Sequence, residues 1–94
     1  MTPRVTDVRL TRASWPDQQR GLLGWVSLVL DDALALDGVA LRRTRDGRRT
    51  LSFPARRDRE GRQHPYVRPL STEARSAIER QVLDALGLGP EVAP

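Results

Sequence analysis

Apolar and polar positions alternate with a period of two from Val5 to Ala13, placing Thr6, Val8 and Leu10 on one side and Asp7, Arg9 and Thr11 on the other. That period predicts a half-buried strand. Ser14 to Gln19 has no period, and Pro16 and Asp17 supply turn chemistry, so a loop is expected with Trp15 folded back over a sheet edge. Leu22 to Leu30 is apolar in both parities, as in a strand that is central in its sheet. Adjacent carboxylates at a strand end point to opposite faces, so Asp31-Asp32 reads as a turn rather than a metal or acid-base pair.

From Ala33 to Arg43 the alternation flips parity, with Leu34 and Leu36 in one register and Val39 and Leu41 in the other. Asp37-Gly38 between them is either a β-bulge in one long strand or a tight turn between two short ones. Strands of about four residues are marginal, which favours the bulge. Arg45-Asp46-Gly47-Arg48 is a hairpin signal. Arg49 to Phe53 continues as a strand, with Leu51 and Phe53 inward and Arg49 outward, until Pro54 removes a ladder donor. Arg56 to His64 is polar and contains Gly61, so it reads as a loop or mobile hairpin tip, and Tyr66-Val67 as a short final strand.

Ser71 is placed to cap a helix running to Leu86, with Glu73 in its first turn. Ala74, Ile78, Val82, Ala85 and Leu86 form its apolar stripe, and Arg75 and Glu79 make an i,i+4 pair outside that stripe. Gly87-Leu88-Gly89-Pro90 stops it. The expected fold is α+β: an antiparallel sheet of four to five strands with the C-terminal helix packed on one face through Ile78, Val82 and Leu86. The 94 residues form a single domain, with a core from about 5 to 86 and a flexible tail over 87–94. A chain of this size buries roughly 60–65% of its unfolded surface, so a partner subunit would add to its stability.

Charge changes this picture more than composition does. Between Arg42 and Arg68 there are ten arginines against three acids, a local balance of +7, while the remaining chain holds six arginines and nine acids, a balance of −3. Segregation of this kind points to an anionic partner. All sixteen basic residues are Arg, whose guanidinium forks onto phosphates where an ammonium cannot. The candidate nucleic-acid contacts are Arg56, Arg57, Arg59 and Arg62, which follow directly on Pro54. Next come Arg42, Arg43, Arg48 and Arg49 of the hairpin, and Arg68 before the helix. Trp15, Trp25, Phe53 and Tyr66 are too few for an aromatic base-stacking sheet.

The absence of cysteine fits a reducing compartment, and no stretch approaches the roughly 20 apolar residues of a membrane span, so a cytoplasmic protein is expected. His64 is the only histidine and has no partner at ligand spacing, which makes it a surface residue rather than a metal ligand or general base. The chain has no glycine-rich phosphate cradle and no nucleophile-base set, so neither enzyme activity nor a cofactor is expected. Asp7 is the one acid worth testing, and pairing with a neighbouring arginine is its expected role.

Val5-Thr6-Asp7-Val8-Arg9-Leu10, Phe53-Pro54-Ala55-Arg56-Arg57 after the Asp-Gly turn, and Arg68-Pro69-Leu70-Ser71-Thr72-Glu73-Ala74-Arg75 resemble, in this order, segments of the stage V sporulation protein G (SpoVG, septation protein) family. The resemblance runs from about Val5 to Leu86. It implies a small bacterial cytoplasmic protein, homodimeric through sheet edges, that binds DNA and in some members RNA and regulates septation, sporulation or virulence genes. The family's Met-Pro-Ser and following basic residues fall on Phe53 to Arg57, which carries its nucleic-acid contacts to Arg56 and Arg57. Arg68-Pro69 stands where the family usually has His-Pro, and Asp37-Gly38 where it has His-Asp. A nucleic-acid-binding regulator is the leading expectation, and a cell-division adaptor that binds protein alone is the alternative.

Overall fold

Four of the expected strands form one antiparallel sheet in the computed structural model, which describes residues 2–88. They are β1 (Val5–Arg12), β2 (Leu22–Leu30), β3 (Leu34–Arg43) and β4 (Arg49–Ser52), in the order β1-β2-β3-β4. The doubly apolar β2 pairs on both sides, as a central strand must. Between β2 and β3, Val26 faces Val39 and Leu28 faces Leu36, so one residue on β2 opposes two on β3. The extra residue lies at Asp37-Gly38, with Gly38 at φ +71°, which makes β3 one long strand with a bulge.

A second bulge, in β1, was not legible from alternation. Thr6 pairs with Val29 and Arg9 with Ser27, and Asp7 adopts φ +53° between them. Aspartate tolerates this conformation better than most residues. The bulge sets Val5, not Thr6, beside Val8 and Leu10 against the core. Asp7 therefore shapes the strand and, among the described residues, makes no ion pair. Asp31 and Asp32 do form a turn, at φ +53° and +54°. Asp31 also accepts the Arg4 amide at 2.9 Å and Asp32 pairs with the Arg4 guanidinium, which together fix the entry to β1.

Ser14 to Gln19 is corrected from a loop to a one-turn helix, α1 (Trp15–Gln19). Ser14 caps it, its hydroxyl accepting from the Asp17 amide and donating to the Asp17 carboxylate at 3.0 Å. Five residues are too few to show a helical period. Trp15 does not fold back over the sheet: it is 71% exposed.

The long helix, α2 (Thr72–Ala85), begins where Ser71 accepts the Ala74 amide at 3.1 Å. It packs on one sheet face through Ala77, Ile78, Val82 and Leu83, with Leu86 half-buried beside them and Ala85 turned out. These side chains close a single core with Val26, Leu28, Leu36, Val39, Leu41 and Leu51. At its end Gly87, φ +73°, donates to Asp84 O at 3.1 Å, and Leu88 donates to Leu83 O at 2.8 Å. This Schellman arrangement satisfies the last carbonyls and lays Leu88 against the core, so Gly87 and Leu88 belong to the packed domain rather than to a tail. The remainder of that tail, 89–94, lies outside the described residues.

Side chains of α2 also reach both outer edges of the sheet. Glu79 and Gln81 are two positions apart, about 200° around the helix axis, so they reach in opposite directions. Gln81 accepts the Val5 amide at 2.9 Å and donates to Pro3 O at 2.7 Å on the β1 edge. Glu79 accepts the Leu51 amide at 3.0 Å and the Thr50 hydroxyl at 2.7 Å on the β4 edge, and Arg75 donates to Leu51 O. The Arg75–Glu79 pair exists, at 3.5 Å, but it serves β4 rather than solvent. Arg49 is likewise corrected from outward to half-buried, because it shares the parity of Leu51 and Phe53. The opposite sheet face is left to solvent at Trp25, 41% exposed.

Candidate nucleic-acid interface

Pro54 ends the main sheet, and the chain beyond it turns back as a separate ribbon of β5 (Ala55–Arg57) and β6 (Gln63–Pro65). The final strand thus lies at Gln63–Pro65, not at Tyr66-Val67, although the Tyr66 amide extends the ladder by donating to Pro54 O at 2.9 Å. All six ribbon residues are exposed. Arg56 lies opposite His64 and Arg57 opposite Gln63. Successive strand residues face opposite sides, so Arg56 and Arg57 stand on different faces of the ribbon.

The tip is a hairpin turn, and Asp58 supplies its hydrogen bonds. One carboxylate oxygen accepts the Glu60 amide at 3.0 Å and the Arg62 amide at 2.9 Å. The other is 2.7 Å from His64 Nε2 and 3.4 Å from Arg62 Nε. Asp58 N donates to Arg62 O at 2.9 Å, and Gly61 completes the turn at φ +82°. The His64 hydrogen bond, followed by the Arg62 amide, holds the Asp58 carboxyl below its ordinary 3.8. Because the folded value is depressed, the tip is stabilised above that ordinary pKa and loses this as pH falls through the lower folded value. The Glu60 and Arg62 amide resonances should shift together on acidification with a midpoint below 3.8. A midpoint at or above it would show that Asp58 does not hold the turn.

The candidate arginines divide into two groups. Arg56, Arg57 and Arg59 are exposed on the ribbon without an ion pair among the described residues, whereas Arg62 is engaged by Asp58 and by Glu60 at 3.8 Å. Arg42 and Arg68 line the grooves at the ribbon's root, around Phe53 and Gln63. The second group lies along the β3–β4 hairpin. Arg43 donates to Gln18 O at 3.2 Å beside α1, while Arg48 and Arg49 border a groove against α2. There they meet Arg80 and Ser76, which the reading of the sequence did not select. Their signal was the helical phase, since Arg80 follows the buried Ile78 by two positions and must point away from the core. In the β3–β4 turn the Thr44 hydroxyl holds the Asp46 carboxyl below its usual range, so one anion stays among these cations.

Among the described residues no three His, Cys, Asp or Glu side chains converge as metal ligands, and no helix is long and apolar enough to cross a membrane. No curated protein matches the chain closely enough to serve as a relative. The SpoVG family model matches residues 3–87, which takes in the whole sheet, the arginine-bearing ribbon and α2. With that span of the 94 residues matched, the chain belongs to the SpoVG family, a membership that links it to sporulation and septation.

Proposed function

We propose that this SpoVG family member is a cytoplasmic, homodimeric regulator that binds nucleic acid, DNA first and RNA second, and has no catalytic activity. One observation carries the reading: in a segment of balance +7, Arg56, Arg57 and Arg59 stand in solvent on an ordered ribbon beside the domain. Guanidinium groups held in this way neutralise phosphates and release counterions, which supplies affinity without demanding a sequence. A second subunit would double the charge. The Trp25 face offers it apolar surface, and because α2 takes the edge groups at Pro3, Val5 and Leu51, that face is the better contact for a dimer.

Salt titration of binding to a DNA duplex tests both parts. Arg56, Arg57 and Arg59 from each of two subunits neutralise about six phosphates, for a slope of log K against log salt of about −5.4, whereas one subunit alone gives about −2.7. Replacing Arg56 and Arg57 together by Ala should flatten the dimer's slope by about 3.6 and weaken binding to every sequence. The thermal transition should stay in place, since both side chains are exposed. An unchanged slope would move the site to Arg48, Arg49 and Arg80. Indifference to nucleic acid would leave the cell-division adaptor as the reading.

A further inference from the structure

Resting on that reading, we infer that the β5–β6 ribbon enters the major groove of duplex DNA tip-first, with Arg56 and Arg57 on the two opposed phosphate walls. The dimensions agree. A two-stranded ribbon is about 5 Å between strands and about 10 Å thick through its side chains, and a B-form major groove is about 12 Å wide. Three paired residues at about 3.4 Å each reach about 10 Å, against a groove depth of about 8.5 Å.

The charge distribution also selects this orientation. On the stem, Arg56 and Arg57 project from opposite faces, so a ribbon lying flat on DNA would turn one of them away from the phosphates. Inserted between the walls, it presents both. At the tip, Asp58 and Glu60 balance Arg59 and Arg62, and ion pairs tie Arg62 to both acids. A tip with no net charge suits the groove floor, where hydrogen bonds to base edges carry the selection, while the cationic stem suits the walls. The Asp58 hydrogen bonds fix the turn before binding, so little ordering is left for the encounter.

Duplex RNA is excluded by the same geometry, because its major groove is too narrow and deep for side chains to read. Fluorescence anisotropy at matched salt should therefore show a 20-base-pair DNA duplex bound about tenfold or more tighter than the RNA duplex of the same sequence. Arg56→Ala and Arg57→Ala, made singly, should each flatten the dimer's salt slope by about two units, with thermal transitions like the parent's. Methylation of guanine N7, which lies in the major groove, should interfere with binding. Equal affinity for the two duplexes would overturn groove entry and leave nucleic-acid binding standing. A loss confined to one of the two variants would also overturn it, in favour of a ribbon lying flat. Binding to neither duplex would remove the functional reading itself, and this inference with it.

Discussion

Truncating Ile78 to Ala lowers the unfolding free energy by about 2–5 kcal/mol, the usual cost of a core aliphatic. Ile78 is 5% exposed and lies in one cluster with Leu51 of β4, Val26 and Leu28 of β2, and Val82 and Leu83 of its own helix. It is therefore the helix's anchor in the core. The loss has two parts, the transfer free energy of the removed carbons and the cavity they leave. A domain of this size has only about 5–15 kcal/mol of stability, so the change removes a large share of the total. Urea denaturation should show a lower midpoint with an unchanged m-value. Leu70→Ala is the control, because Leu70 is 89% exposed and its truncation should leave the midpoint where it was. A loss at Ile78 of less than about 1 kcal/mol would mean that α2 is not anchored as its burial indicates.

The anchor was legible because a helical stripe keeps its meaning whatever the tertiary arrangement: Ile78 and Val82 are four apart and must share a face. The Asp37-Gly38 bulge was legible for a similar reason, since apolar residues on both sides of it disagreed in parity. The Asp7 bulge was masked. Val5 and Val8 are both apolar and Thr6 fits either face, so the count of alternating positions could not show an extra residue. Helix α1 was lost to brevity, and its signs were the Ser14 to Asp17 capping spacing and Pro16 in the first turn.

The site was legible in charge and hidden in geometry. The +7 segment can be counted, but which arginines stand together depends on a ribbon whose second strand begins at Gln63, three residues before the Tyr66-Val67 that its apolar character suggests. Once Arg56 and Arg57 are strand residues, the pleat alone sends them to opposite faces. Asp58 passed for one acid in a basic loop. Only the folded turn brings His64, six residues on, within 2.7 Å of it.

The Arg75–Glu79 pair reads as ordinary surface decoration, yet replacing Glu79 by Ala should cost about 1–3 kcal/mol, well beyond the 0.3–0.5 kcal/mol typical of an exposed i,i+4 pair. The Oε2 atom of Glu79 takes hydrogen bonds from the Leu51 amide at 3.0 Å and the Thr50 hydroxyl at 2.7 Å, with Arg75 Nε at 3.5 Å. Truncation strands all three donors at a partly buried edge, and an unmet donor there loses its desolvation free energy without return. Glu79→Gln keeps an acceptor oxygen and loses the charge, so its cost should be smaller. A double-mutant cycle with Arg75→Ala separates the pair from the edge bonds: if the edge bonds dominate, the coupling energy falls short of the Glu79→Ala loss. The variant has a second consequence, because the freed Leu51 amide becomes an open strand-edge donor of the kind that pairs with another chain. Sedimentation should find Glu79→Ala more associated than the parent at equal concentration. A variant as stable and no more associated than the parent would show that the helix does not guard the β4 edge.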